Sequence, residues 1–278
     1  MTDLLADYLQ DRQGDEKVVA AERIAAAVKA LVPFFTGVTV AGVTKEVCKA
    51  YVKSRGKLSA GTTRRELGVV RASINHAHKE GRITRVVAVH LPERPEARDR
   101  WLTRKEAAAL LRAALREPRV RLYLPLFVLV GLYTGARKEA ILSLRWHQVD
   151  IDACRLNFNE PGARKTNKRR SRIPIPAKLL GHLRRARVRG TEMGFVVNDN
   201  GARLGDIKRG FTSARATAKL GKDVTPHTLR HTCATWLMQH GVSTWEASGF
   251  LGMSRETLER VYGHHHPDHL KAAAEAFR

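Results

Sequence analysis

The chain has 278 residues, 43% hydrophobic and 28% charged, which is enough for two modest cores in a globular protein. Fifty Lys and Arg against 27 Asp and Glu leave a net charge of +23, which points to a polyanionic partner, nucleic acid foremost. No apolar run reaches the about 18 residues of a spanning helix, so no membrane association is expected. Asp3, Asp7, Asp11, Asp15 and Glu16 do not suit a secretory leader, and three scattered cysteines (Cys48, Cys154, Cys233) argue for a reducing, cytoplasmic setting.

Residues 1–95 read as helical, with Leu, Ala and Val at helical spacing. Val18 to Phe35 suits one or two helices ending near Gly37, and Val43-Thr44 opens another with Glu46 in its first turn. The clearest helix is expected to start at Thr63, with Glu66 completing a capping box and Gly81 stopping it. Leu67, Val70, Ile74 and Ala77 form its apolar face, leaving Arg64, Arg65 and Arg71 either solvated or against phosphate. Low aromatic content, 6%, favours gripping duplex backbone over stacking on single strands.

A boundary is expected within residues 91–100, where Pro92, Pro95 and dense mixed charge suit an extended linker, dividing 1–95 from 96–278. Thr103 and Glu106 then form a capping box for a helix from Arg104 to Leu115, and Leu122 to Tyr133 is apolar all round, as a buried helix is. Val149-Asp150-Ile151 and Leu156-Asn157-Phe158 read as strands, with Arg172-Ile173-Pro174-Ile175 returning at an edge because proline cannot donate to a ladder. Helices resume at Ala177 and are expected to dominate to the end.

Four clusters carry chemistry. Thr134-Gly135-Ala136-Arg137 puts an arginine at a helix start, where anions are favoured. Lys165-Thr166-Asn167-Lys168, followed by Arg169 and Arg170, is a basic turn between strands. His227-Thr228-Leu229-Arg230-His231 spaces two histidines and an arginine along one helix face, and Tyr262 lies downstream in Arg260-Val261-Tyr262-Gly263-His264-His265-His266. Two guanidinium groups can clamp non-bridging phosphate oxygens. A lysine or histidine can move protons, and a tyrosine can be a covalent nucleophile. A zinc site at His227 and His231 is poorly supported, since Thr228 stands where a metalloprotease carries its glutamate.

In this order the clusters resemble the catalytic core of the tyrosine recombinases, the phage integrase family. The resemblance is strong over 101–270 and weaker before. It implies a mainly α fold: a small helical, SAM-like core-binding domain that holds DNA, then a mostly helical catalytic domain with a small antiparallel β-sheet and hairpin. It further implies Arg137 and Arg230 as phosphate clamps and Tyr262 as the nucleophile that forms a 3′-phosphotyrosyl link. His227 would assist deprotonation, and His231 would support the phosphate. Lys165 would be the general acid, with Lys168 an open alternative; Lys168, Arg169 and Arg170 would join Arg64, Arg65 and Arg71 in contacting DNA. Neither a cofactor nor a metal is implied, and the partners would be double-stranded DNA and three further copies, in a homotetramer on paired sites. The expected activity is integration or excision of a phage or other mobile element. A catalytically weakened DNA binder and a type IB topoisomerase stay open beside it. A separate arm-site-binding domain is a poor fit to the short chain before the helical half. Two departures from the family pattern stand out: Ala140 where an acidic residue is common, and Met253 where His or Trp is usual.

Overall fold

The computed structural model describes residues 1–14, 21–56, 58–94, 100–159, 171–188 and 194–276. The chain divides into two compact units, Met1–Ala97 and Arg98–Arg278. Among the described residues, no helix is long and apolar enough to cross a membrane.

The first unit consists of α1 (Thr2–Gly14), α2 (Ala21–Phe35), α3 (Lys45–Ser54) and α4 (Ala60–Lys79). Leu5, Val28, Leu31, Phe35, Tyr51, Leu67, Val70 and Ile74 close its core. Thr44 caps α3 as expected, accepting from the Val47 amide at 3.3 Å. The start of α4 differs from expectation. Ser59 is the cap, accepting from the Thr62 amide at 3.3 Å, and Thr63 is buried one turn inside, donating to the Ala60 carbonyl at 3.2 Å. Glu66 therefore turns inward rather than back to a cap. It accepts from Tyr51 Oη at 2.8 Å and from Arg55 Nε and Nη2 at 3.2 and 2.9 Å, so a nearly buried carboxylate is fully satisfied. Gly81, at φ +72°, ends the helix with the Arg82 amide bonded back to the Ala77 carbonyl at 2.9 Å.

The second unit starts with α5 (Arg104–Arg116), whose Thr103–Glu106 capping box is formed in both directions at 3.2 and 2.8 Å. The apolar stretch becomes α6 (Leu124–Thr134), buried along nearly its whole length and packed by α5, α10 (Pro226–Gln239) and α8 (Ala177–Arg187). Gly131 permits the closest of these approaches: a Cβ there would come within 2.8 Å of Leu229 on α10. After α7 (Lys138–Leu142) come β1 (Val149–Asp150), β2 (Arg155–Asn157) and β3 (Arg172–Pro174), an antiparallel sheet in that order with β3, the proline-bearing strand, at an edge. Helices dominate after Ala177 as expected, with one short interruption. A hairpin of β4 (Asn198–Asp199) and β5 (Ala202–Arg203) precedes α9 (Lys208–Thr217), turning through Asn200 and Gly201 at φ +50° and +86°. Asn-Gly is the strongest short hairpin signal, and it was there to be read. The chain closes with α11 (Thr244–Leu251), α12 (Arg255–Tyr262), a 3-10 turn at Gly263–His265 and α13 (Lys271–Glu275).

Candidate active site

The site is built where the end of α6, the start of α10 and the end of α12 meet. Gly135 ends α6 in the left-handed region, φ +62°, and a Cβ on it would lie 2.3 Å from Leu251 Cδ2. Only glycine fits a corner that is both left-handed and closed. The chain then places Arg137 at the start of α7, half-buried, where burial lowers its pKa from the ordinary value.

α10 begins with Thr225 and Thr228 bonded reciprocally, the Thr225 amide reaching Thr228 Oγ1 at 2.9 Å, and with Pro226 in the first turn. His227, Arg230 and His231 follow at i, i+3 and i+4, so all three project from one face. Arg230 is 5% exposed. Its Nη1 donates to the carbonyls of Gly135 and Leu251, each at 2.7 Å, joining the ends of α6 and α11 through one guanidinium. Its Nη2 is buried without a hydrogen-bond partner among the described residues. Burial first, then the neighbouring Arg137 charge, pushes the Arg230 pKa down to about 10.

Tyr262 ends α12 and is 4% exposed. Its Oη lies 2.8 Å from Nδ1 of His231, and the rings of His231 and His227 meet edge-on with centroids 4.7 Å apart. This arrangement puts His231, expected at the phosphate, against Tyr262, the expected nucleophile, and leaves His227 one turn away. His227 is exposed at the surface of the site. Partial desolvation by its neighbours, then the charges of His231, Arg230 and Arg137, push its pKa down to about 4, so it is neutral at physiological pH. Cys233, one turn after Arg230, is buried against Gly135, and burial pushes its thiol up to about 12, an inert spacer.

Lys165, Lys168, Arg169 and Arg170 lie outside the described residues. The base of the segment that carries them is described. Asn157 pairs with Arg172 across β2 and β3, the Phe158 amide reaches the Ser171 carbonyl at 3.1 Å, and Ser171 Oγ donates to the Phe250 carbonyl at 2.9 Å. That last bond ties Ser171, just before β3, to the residue before Leu251, whose carbonyl holds Arg230. A single serine beside a basic run gave no sequence signal for it.

At the two departures, Ala140 packs against the main core and Met253 against the small cluster around Cys233, Leu258 and Tyr262. The acidic groups beside α7 face away to Lys138, with Asp206 Oδ1 at 3.1 Å and Glu139 Oε1 at 3.2 Å. No group of three metal-ligating side chains occurs among the described residues. The charge around His227 and His231 is cationic, from Arg137 and Arg230, which favours an oxyanion over a divalent metal. In the first unit, Arg65 and Arg71 are exposed while Arg64 is half-buried and donates to the Pro92 carbonyl.

Comparison with known proteins bears on the whole second unit. Residues 100–269 match the model of the phage integrase family. The tyrosine recombinase XerA of Thermococcus kodakarensis is 28% identical over 189 residues, spanning 66% of this chain and 64% of that protein. The integrase of Salmonella phage P22 is 25% identical over 224 residues, spanning 76% of this chain and 56% of its own length. The chain thus spans about 64% and 56% of these two curated relatives. Among solved structures, the Tn1549 transposon integrase in complex with circular intermediate DNA superposes with TM-score 0.77 at 16% identity, over 100% of this chain and 99% of that one. A lambda integrase dimer bound to a core site gives 0.73 at 19% identity, over 94% and 77%. These likenesses are of fold, and they match the tyrosine recombinase catalytic fold of the Tn1549 and lambda integrases. The family match covers well over half the chain, and the chain belongs to the phage integrase family, the tyrosine recombinases.

Proposed function

We propose that the protein is a site-specific DNA recombinase that breaks and rejoins duplex strands through a 3′-phosphotyrosyl intermediate. Tyr262 Oη attacks the scissile phosphorus, and its proton passes to His231 Nδ1. The bond from phosphorus to the 5′ oxygen breaks, and that oxygen takes a proton from Lys165, with Lys168 the alternative donor. Arg137 and Arg230 hold the non-bridging oxygens, and their charge stabilises the crowded phosphorane more than the ground state. His227, neutral, is placed to donate a hydrogen bond to the same phosphate. The 5′ hydroxyl of a partner strand then reverses the step, so the bond energy is conserved and no nucleotide cofactor is consumed.

The observation that carries this reading is the 2.8 Å contact of Tyr262 with His231 on the helix face that also bears Arg230. Exchange between two duplexes calls for four protomers, so the working form is a homotetramer on paired sites, acting on DNA in the cytoplasm. Residues 1–95 form the domain that grips DNA and 96–278 the catalytic one, with Arg65 and Arg71 at phosphate. The reaction serves integration or excision of a phage or other mobile element.

Denaturant-resistant protein–DNA adducts test the chemistry: wild type should form them and Tyr262→Phe should not, with DNA affinity unchanged. The acid is identified by a substrate carrying sulfur in place of the scissile 5′ oxygen, since a thiolate leaves without a proton. Lys165→Ala should regain cleavage on it. If Lys168→Ala shows that rescue instead, the roles of the two lysines exchange.

A further inference from the structure

The proposed nucleophile has to be held in line with the phosphate, and the turn that follows it packs on α10. Tyr262 ends α12, the 3-10 turn Gly263–His265 follows, and a side chain added at Gly263 would meet nothing within 4 Å. One large ring does reach this turn. Trp101 meets His265 edge-to-face, with ring centroids 5.9 Å apart and planes at 75°. That is a favoured aromatic arrangement with a directional preference, unlike plain apolar contact.

Trp101 is itself fixed on both sides. Arg100 pairs with Glu106 on α5 and, through Nε at 2.8 Å, with Asp223 just before α10. Leu102 is fully buried, and its amide donates to Thr232 Oγ1 at 2.9 Å. Thr232 follows His231 on α10 and donates onward to the Thr228 carbonyl at 2.7 Å. The segment 100–102 is thus fastened to the same helix that carries His231, and its middle residue touches the turn three residues past Tyr262. The helix bearing the proton acceptor and the turn behind the nucleophile are referenced to each other through Trp101.

We propose that Trp101 is a positioning residue for Tyr262, acting through His265. It holds the Gly263–His265 turn so that the phenol stays against His231, and without it Tyr262 Oη samples positions out of line with the phosphate. The inference rests on the recombinase reading for its functional consequence, while the contact can be tested apart from it.

Hydrogen exchange of the 258–266 segment is measured in the free full-length protein, together with the first-order rate of adduct formation at saturating DNA and the DNA Kd. Trp101→Ala should speed exchange in that segment and slow adduct formation by about tenfold or more, since misplacement of about 1 Å can cost as much as a hundredfold. The Kd should stay within about twofold, a split that a general loss of structure would not give. Trp101→Phe, which keeps an aromatic edge, should restore most of the rate. Trp101→Ala added to His265→Ala should slow the reaction no further than the larger single change. Unchanged exchange in 258–266, or additive single and double effects, would overturn the proposal. A wild-type protein that forms no adduct, with exchange still rising in Trp101→Ala, would defeat the recombinase reading and leave the positioning contact standing.

Discussion

Arg230 and His227 show how individual side chains combine structural and chemical roles. Arg230 binds two backbone carbonyls through one nitrogen and leaves the other buried, so it fastens α6 to α11 while presenting charge to the site. Arg230→Ala should therefore lose cleavage far more than DNA affinity and lower stability by about 1.5–3 kcal/mol, the range for hydrogen bonds to a charged group. Thermal unfolding and adduct assays on the same variant measure both, and unchanged stability would contradict the bridging role. For His227, the folded pKa of about 4 lies below the ordinary 6.5. As pH falls from 6.5 the unfolded chain takes up the proton first, so this group's contribution is intact above about 6.5 and declines until about 4. The residue is exposed and water screens its charge, which limits the loss to on the order of 1 kcal/mol. His227→Gln should flatten the dependence of unfolding temperature on pH over that window; an unaltered slope would show that the ring is not held neutral by its surroundings.

Single elements carry the site because they cross closely. α10 approaches α6 over Gly131, and Gly135 turns the chain toward Arg137 beneath Leu251. Gly135→Ala combines left-handed backbone, about 1–2 kcal/mol, with a 2.3 Å clash at Leu251, so a loss of about 2–4 kcal/mol is expected in denaturant unfolding. A loss under about 1 kcal/mol would mean that α11 yields easily. At this scale much was legible in the chain. The caps at Thr44 and Thr103, the buried α6 and the edge strand with its proline each follow from a local rule. The start of α4 was not, because Thr63 and Glu66 have capping-box spacing but Glu66 finds Tyr51 and Arg55, partners far along the chain. The site residues stood in recognisable clusters, but the pairing of His231 with Tyr262 and the bonds of Ser171 and Thr232 depend on how helices cross. No spacing rule encodes that.

For the whole molecule, a net charge of +23 makes attraction to a polyanion the dominant long-range force, and under the proposed function that polyanion is duplex DNA. If six or more phosphates are contacted, affinity should drop about 10³-fold between 50 and 200 mM salt, and a nearly flat response would contradict a backbone grip. Binding by charge alone, however, needs no tyrosine against a histidine, and the central claim is covalent chemistry. The most direct test offers the protein nicked duplexes tiling the insertion point of its own gene and looks for adducts that survive denaturation. The account predicts an adduct at one core site with wild type and none with Tyr262→Phe at equal DNA binding. An adduct that persists in Tyr262→Phe, or tight binding by wild type with no adduct anywhere along the tiling, would contradict it.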